Sequence, residues 1–202
     1  MHVAPLVSAM FLAVVTTAAA QSPSPQQLME SGQHDQALQS IAAQRERGEA
    51  GPGDAFLAGL ILVKIEQRDR AGEEFARLAA TGDPAWTLIG ESATALLASD
   101  NGRAREAASQ AIEAAPGMFQ AQYQLGLAKA RFEDWAGCAE AFRRAAELNP
   151  AFAYAHYYAG LSYSRSGRAD RTSEHFERFL KLAPRAPERA AVESLMRTLR
   201  GR

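Results

Sequence analysis

Three prolines, Pro116, Pro150 and Pro184, stand 34 residues apart, and each closes a stretch of helical periodicity: AIEAAP, AAELNP and FLKLAP. A fixed period of this length calls for repeated units, none of which can bury its apolar face without a neighbour. In register, Gly126 falls opposite Gly160, Leu125 opposite Ala159, and Leu127 opposite Leu161. Cys138 falls opposite Ala104 and Thr172, Phe142 opposite Ala108 and Phe176, and Ala145 opposite Ala111 and Phe179. Small residues at inward positions serve two helices that cross closely, because a missing side chain lets the backbones approach.

Upstream, AFLAGLILVKIEQRDRAGEEFARLAATGDP fits once the following spacing is 33, with Gly59, Ala71, Phe75 and Leu78 in the same slots. The unit beginning at Ala85 reads Glu91-Ser92 where its neighbours carry an apolar-Gly pair, so its second helix and Pro116 identify it. The segment SGQHDQALQSIAAQ matches the second helix of one more unit, with Ala37 and Ile41 in the small and large slots.

This pattern of bulky, Leu-Gly, aromatic, then Ala, aromatic, Ala and Pro resembles the tetratricopeptide repeat. Gly126-Cys138-Phe142-Ala145-Pro150 carries it best, and Gly160-Tyr163-Phe176-Pro184 carries it nearly as well. The resemblance implies an all-α fold, a right-handed α-solenoid of antiparallel helix pairs. Its units run over about 52–84, 85–118, 119–152 and 153–184, after a polar spacer and partial repeat over 21–50. Turns such as EDWAG and SGRAD join the helices of a pair, and RGEAGPGDA (47–55) is the expected weak joint. Residues 185–202 read as a capping helix. Val192, Leu195, Met196 and Leu199 share one face, while Arg189, Glu193, Arg197 and Arg200 fall largely on the other.

The N-terminus carries no charged side chain before Glu30, and Val3 to Ala20 is apolar or small. It ends Ala18-Ala19-Ala20, a small-x-small pattern suited to signal cleavage, and residues 1–20 are read as an export signal. The expected product is periplasmic or secreted, with no membrane span after cleavage. An uncleaved anchor is the alternative, but a core rich in Ala, Thr and Ser with Pro5 makes a poor span. Formal net charge is −1, which supplies no global field for nucleic acid or anionic membranes. The charge is uneven: residues 1–150 hold 18 acids and 12 bases, residues 151–202 hold 5 acids and 10 bases. Cys138 is the sole cysteine, read as a small buried apolar residue, so no intramolecular disulfide forms.

Enzyme motifs are missing. There is no Gly-x-x-x-x-Gly-Lys, no Cys-x-x-Cys and no His-Glu-x-x-His. GLSYS (160–164) begins like a nucleophile elbow but ends in Ser164 and sits within a helical pattern. His2 leaves with the signal, and His34, His156 and His175 are read as occupying different units, which gives a metal no convergent ligands. Glu73-Glu74 and Glu133-Asp134 are adjacent, so on a helix they diverge by about 100°. The chain reads as non-enzymatic, with no cofactor, no metal and no small-molecule substrate.

In the family, the first helix of each unit lines a concave groove. Its usual binding positions, carried over by resemblance, are Phe56, Leu60 and Lys64; Trp86, Ile89 and Ala93; Tyr123, Leu127 and Arg131; and Tyr157, Leu161 and Arg165. The last two sets repeat as Tyr, Leu and Arg, which suits an extended peptide with acidic character. The competing reading packs both tyrosines between helices and leaves both arginines as ordinary surface. The family's clamp for a chaperone's C-terminal carboxylate uses Lys and Asn where this chain has Phe56, Leu60 and Gly90, so that specialisation is disfavoured. The expected function is a protein–protein adaptor of the cell envelope. The alternative is a structural subunit whose repeat faces are permanently covered.

Overall fold

The computed structural model describes residues 22–201; the expected export signal, residues 1–20, lies outside them. Eleven helices occupy the described residues. They are α1 (Pro25–Glu30), α2 (His34–Glu46), α3 (Pro52–Lys64), α4 (Arg68–Ala79), α5 (Pro84–Leu97), α6 (Asn101–Ala114), α7 (Phe119–Ala130), α8 (Trp135–Leu148), α9 (Ala153–Arg165), α10 (Ala169–Leu182) and α11 (Arg189–Arg200). Consecutive helices pack as antiparallel pairs, and the second helix of each pair packs on the first helix of the next.

Local sequence sets the helix ends. Asp83, Asp100 and Asp134 cap α5, α6 and α8 by accepting the backbone N–H groups of Trp86, Arg103 and Gly137. Pro25, Pro52 and Pro84 open helices, where a missing N–H costs nothing. Each pair turns through one residue in the left-handed region: Gly32, Glu66, Ser99, Glu133 and Gly167. The following N–H then reaches back to close the last helical turn, as in Gln33 to Leu28 O (2.8 Å), Gln67 to Leu62 O (2.8 Å) and Arg168 to Tyr163 O (2.8 Å). This mark recurs in all five pairs, so α1 and α2 form a pair of the same kind with a shortened first helix. The segment read as polar spacer thus contributes α1, whose Pro25, Leu28, Met29 and Glu30 are buried.

Glycines open the space for the aromatic core. A Cβ at Gly126 would lie 2.7 Å from the Phe142 ring, at Gly160 2.6 Å from Phe176, and at Gly59 2.2 Å from Phe75. The degenerate unit reverses this exchange. Ser92 takes the glycine slot, Ala108 takes the aromatic slot, and the buried Ser92 hydroxyl donates to Ala104 O at 2.7 Å. Gly90 instead admits the preceding helix: a Cβ there would lie 2.5 Å from the backbone nitrogen of Ala79. Cys138 is buried in its slot with its thiol on Gly126 O at 3.4 Å, and burial pushes that thiol up to about 11. Val192 and Met196 of α11 are buried, Leu195 and Leu199 half-buried, which ends the core.

Candidate functional site

The first helices α3, α7 and α9 converge on the concave side more tightly than a groove of independent units requires. The Phe56 ring meets Tyr123 edge-on at 6.1 Å, although a whole unit separates theirs. Tyr123 also meets Phe142, Phe152 and Tyr158 at 5.3, 5.4 and 5.8 Å. Lys64, at the end of α3, lies 4.6 Å from the Tyr154 ring centroid on α9.

Two further segments close this side. Oε1 of Glu30 accepts the Ala153 N–H at 2.9 Å and the Gln26 side-chain amide at 3.0 Å, and Gln26 also donates to Ala151 O at 3.0 Å. A Cβ at Gly32 (φ +79°) would lie 2.8 Å from Pro187 Cγ, so only glycine fits that contact. Glu188, at the start of α11, pairs with Lys64 and accepts from the Tyr154 hydroxyl at 3.1 Å. A seam of α1 and residues 184–188 therefore joins the first and last pairs.

What stays open is a crevice of about 120 Å³, walled by Met29, Leu60, Val63, Lys64, Tyr123, Leu127, Tyr154 and Tyr158. Val63 is 42% exposed at this crevice. Burial raises Glu30 to about 7 and Tyr158 to about 12. Tyr154 is held well above the ordinary phenol by burial and by the Glu188 carboxylate. Burial, then the Lys64 charge, lowers His34. The crevice can hold one apolar side chain, and its rim is polar.

The structure separates the expected groove residues. Leu60, Lys64, Tyr123 and Leu127 border the crevice. Phe56 (2% exposed), Ile89 (0%) and Tyr123 (3%) are packed in the interior. Trp86, Tyr157 and Leu161 are half-buried against the same core. The Tyr-Leu-Arg ladder does not form. Tyr123 is covered by α3, whereas Tyr157 packs on Phe179 at 5.1 Å and Tyr154 at 6.0 Å. Arg165 lies 4.4 Å from the Trp135 centroid, and Arg131 is exposed at the end of α7. Curvature is the reason: equivalent sequence positions stop being equivalent once the ends of the array meet.

The histidines also require a correction. His156 on α9 and His175 on α10 belong to one pair, and their Nδ1 atoms face each other at 3.2 Å in the interior. Burial lowers both, His156 to about 4. Tyr163 stacks on His175 at 5.4 Å. Beside them, between α8 and α10, lies a charged cleft of about 1200 Å³ that includes Arg143, Glu147, Arg171 and Glu174. Among the described residues, no group of three or more His, Cys, Asp or Glu side chains is placed to hold a metal ion. No helix among them is long and apolar enough to cross a membrane.

No protein-family model and no curated protein matches the chain. Solved structures do. TTC0263, a thermophilic TPR protein of Thermus thermophilus, is similar over 87% of this chain and 94% of its own, with 16% identity and a TM-score of 0.61. The first TPR of Spaghetti (RPAP3), solved with the HSP90 peptide SRMEEVD, is similar over 58% of this chain and 94% of its own, with 17% identity and a TM-score of 0.52. MamA of Desulfovibrio magneticus RS-1 shares 23% identity over 78% of this chain and 90% of its own, with a TM-score of 0.48. TTC0263 and RPAP3 carry the fold assignment: an all-α solenoid of the tetratricopeptide type.

Proposed function

We propose that the chain is a non-enzymatic protein-interaction adaptor of the cell envelope that receives a peptide or protein segment on its concave side. The observation that carries this reading is the crevice beside Val63 and Leu127, an apolar pocket for one anchoring side chain with Lys64 at its rim. The RPAP3 repeat was solved with an acidic peptide, which supports a peptide ligand for this fold. Residues 1–20 support export. A small anchored contact supplies affinity when the pocket excludes water around it.

A photo-crosslinker at Val63, carried by the full chain in its native envelope, should capture one defined partner. The same group at Glu106, exposed on α6, should capture none. The structural-subunit alternative draws on the charged cleft between α8 and α10. Capture from Ser173 in that cleft, with none from Val63, would replace the adaptor reading.

A further inference from the structure

The α1 helix is too short to be stable alone, since isolated helices of fewer than about 12 residues are marginal in water. Its six residues are held by what they dock against. Leu28 and Met29 enter the same apolar cluster as Tyr123, Phe152 and Tyr154, and Met29 forms one wall of the crevice. Glu30 serves as a cap that α9 lacks: Phe152 precedes that helix and offers no side-chain acceptor to its first N–H groups. The Glu30 carboxylate accepts the Ala153 N–H instead. Gly32 then turns the chain out of the seat into α2.

We propose that the seat of α1 is a ligand site occupied in cis. Its ligand in trans is a short helical segment of a partner protein, with two adjacent large apolar side chains followed by a carboxyl side chain. Each part of that chemistry is set by the present occupant. The aromatic surface under Leu28 and Met29 takes apolar side chains. The Ala153 N–H takes a carboxyl oxygen, and the crevice continues from Met29 to admit one further apolar side chain. Displacement of α1 would expose a longer surface across α3, α7 and α9. This deepens the adaptor reading and rests on the concave side being the working surface.

The test uses the full chain and a fluorescein-labelled peptide of sequence SPSPQQLMESGQ, read by anisotropy. The wild-type chain should take up the peptide weakly, because the tethered segment competes at an effective concentration on the order of millimolar. L28A/M29A in the chain removes the two apolar anchors of the cis occupant and should tighten peptide binding by roughly tenfold or more. A peptide carrying the E30A change, which removes the oxygen acceptor for the Ala153 N–H, should bind that variant about tenfold more weakly. Hydrogen exchange on the wild-type chain needs no variant: amides of α1 should open roughly tenfold faster than those of α7 and α9. Peptide binding by L28A/M29A no tighter than by wild type would overturn the proposal. So would α1 amides that exchange only with α7 and α9 in global unfolding. Dimerisation of the wild-type chain that the peptide competes away would assign the seat to a second copy's α1 and overturn the partner-protein ligand. Loss of the Val63 crosslink would remove the envelope partner while leaving these peptide results intact.

Discussion

The Glu30 carboxylate accepts the backbone N–H of Ala153, 123 residues further along the chain, at 2.9 Å. In a simple solenoid each unit touches only its neighbours, and stability sums along the array. Here the first and last pairs touch directly, so α1 adds a long-range tie that nearest-neighbour stacking does not supply. The same bond places a buried carboxyl where its protonation state controls the tie.

Glu30 should make docking of α1 weaken with rising pH. Burial raises it from 4.5 to about 7, with the Ala153 N–H and the Gln26 amide opposing; Tyr154 is the titratable side chain facing it from α9. Between these values the folded chain holds a proton that the unfolded chain releases. The stability is therefore fully present below about 4.5 and is lost as pH rises through 7, by roughly 3 kcal/mol at most. Glu30→Gln keeps an oxygen acceptor and cannot ionise. Its α1 protection factors, exchange rates referred to the intrinsic rate at each pH, should be flat from pH 5 to 8 while the wild-type protection falls. An equal fall in both chains would exclude Glu30 as the source.

Gly126 and Phe142 should be energetically coupled. Phe142→Ala should cost about 3–5 kcal/mol as a core aromatic truncation. Gly126→Ser should cost about 1–3 kcal/mol, since its Cβ would fall within 2.7 Å of the Phe142 ring. The double change recreates the Ser92 and Ala108 combination of the neighbouring unit. It should cost about 1–2 kcal/mol less than the two single changes added together. Denaturant melts of the four chains measure this, and strict additivity would mean that the two slots are not complementary.

The repeat slots were legible because packing inside a helix pair is local: Gly126, Cys138 and Phe142 meet within 17 residues. The concave side was not legible in the same way. Which of Phe56, Tyr123 and Tyr157 stays open depends on curvature accumulated over several units. It depends also on α1 and residues 184–188, to which the repeat pattern gives no counterpart. α1 hid in a polar-looking segment because six residues are too few to show a period. The meeting of His156 and His175 was available: they lie on the two helices of one 34-residue unit, and assigning them to different units concealed it.

The left-handed turn positions predict a stabilising substitution. Glu133 sits at φ 55° in the place that Gly167 fills at φ 79° in the next pair. A non-glycine residue there costs about 1–2 kcal/mol of backbone strain, part of which glycine returns as unfolded-state entropy. Glu133→Gly should therefore stabilise by up to about 1 kcal/mol, and Gly167→Ala should destabilise by about 1 kcal/mol or more. Open space surrounds a Cβ at Gly167, so the second effect isolates backbone strain from packing. Thermal melts that move together, rather than in opposite directions, would rule out this account.

The buried histidines should give the opposite pH response to Glu30. Burial lowers His156 from 6.5 to about 4, and the neighbouring His175, itself lowered, opposes a second charge. Arg178 adds to this on His156, and Arg171 and Arg143 on His175, while Glu174 works against it on both. A depressed histidine contributes stability that is fully present above the unfolded value of 6.5 and is lost as pH falls towards 4. Partial solvent screening limits the loss to about 1–2 kcal/mol. Because Glu30 gains over the same range, the measurement belongs in the Glu30→Gln chain, where that opposing titration is absent. Its melting temperature should fall as the pH drops, and His156→Gln in that background should remove most of the slope. Proton NMR of the imidazoles separates the sites directly: His156 should stay neutral at pH 5. If it is protonated there with the fold intact, the interior of the α9–α10 pair tolerates the charge and the acid response must originate elsewhere.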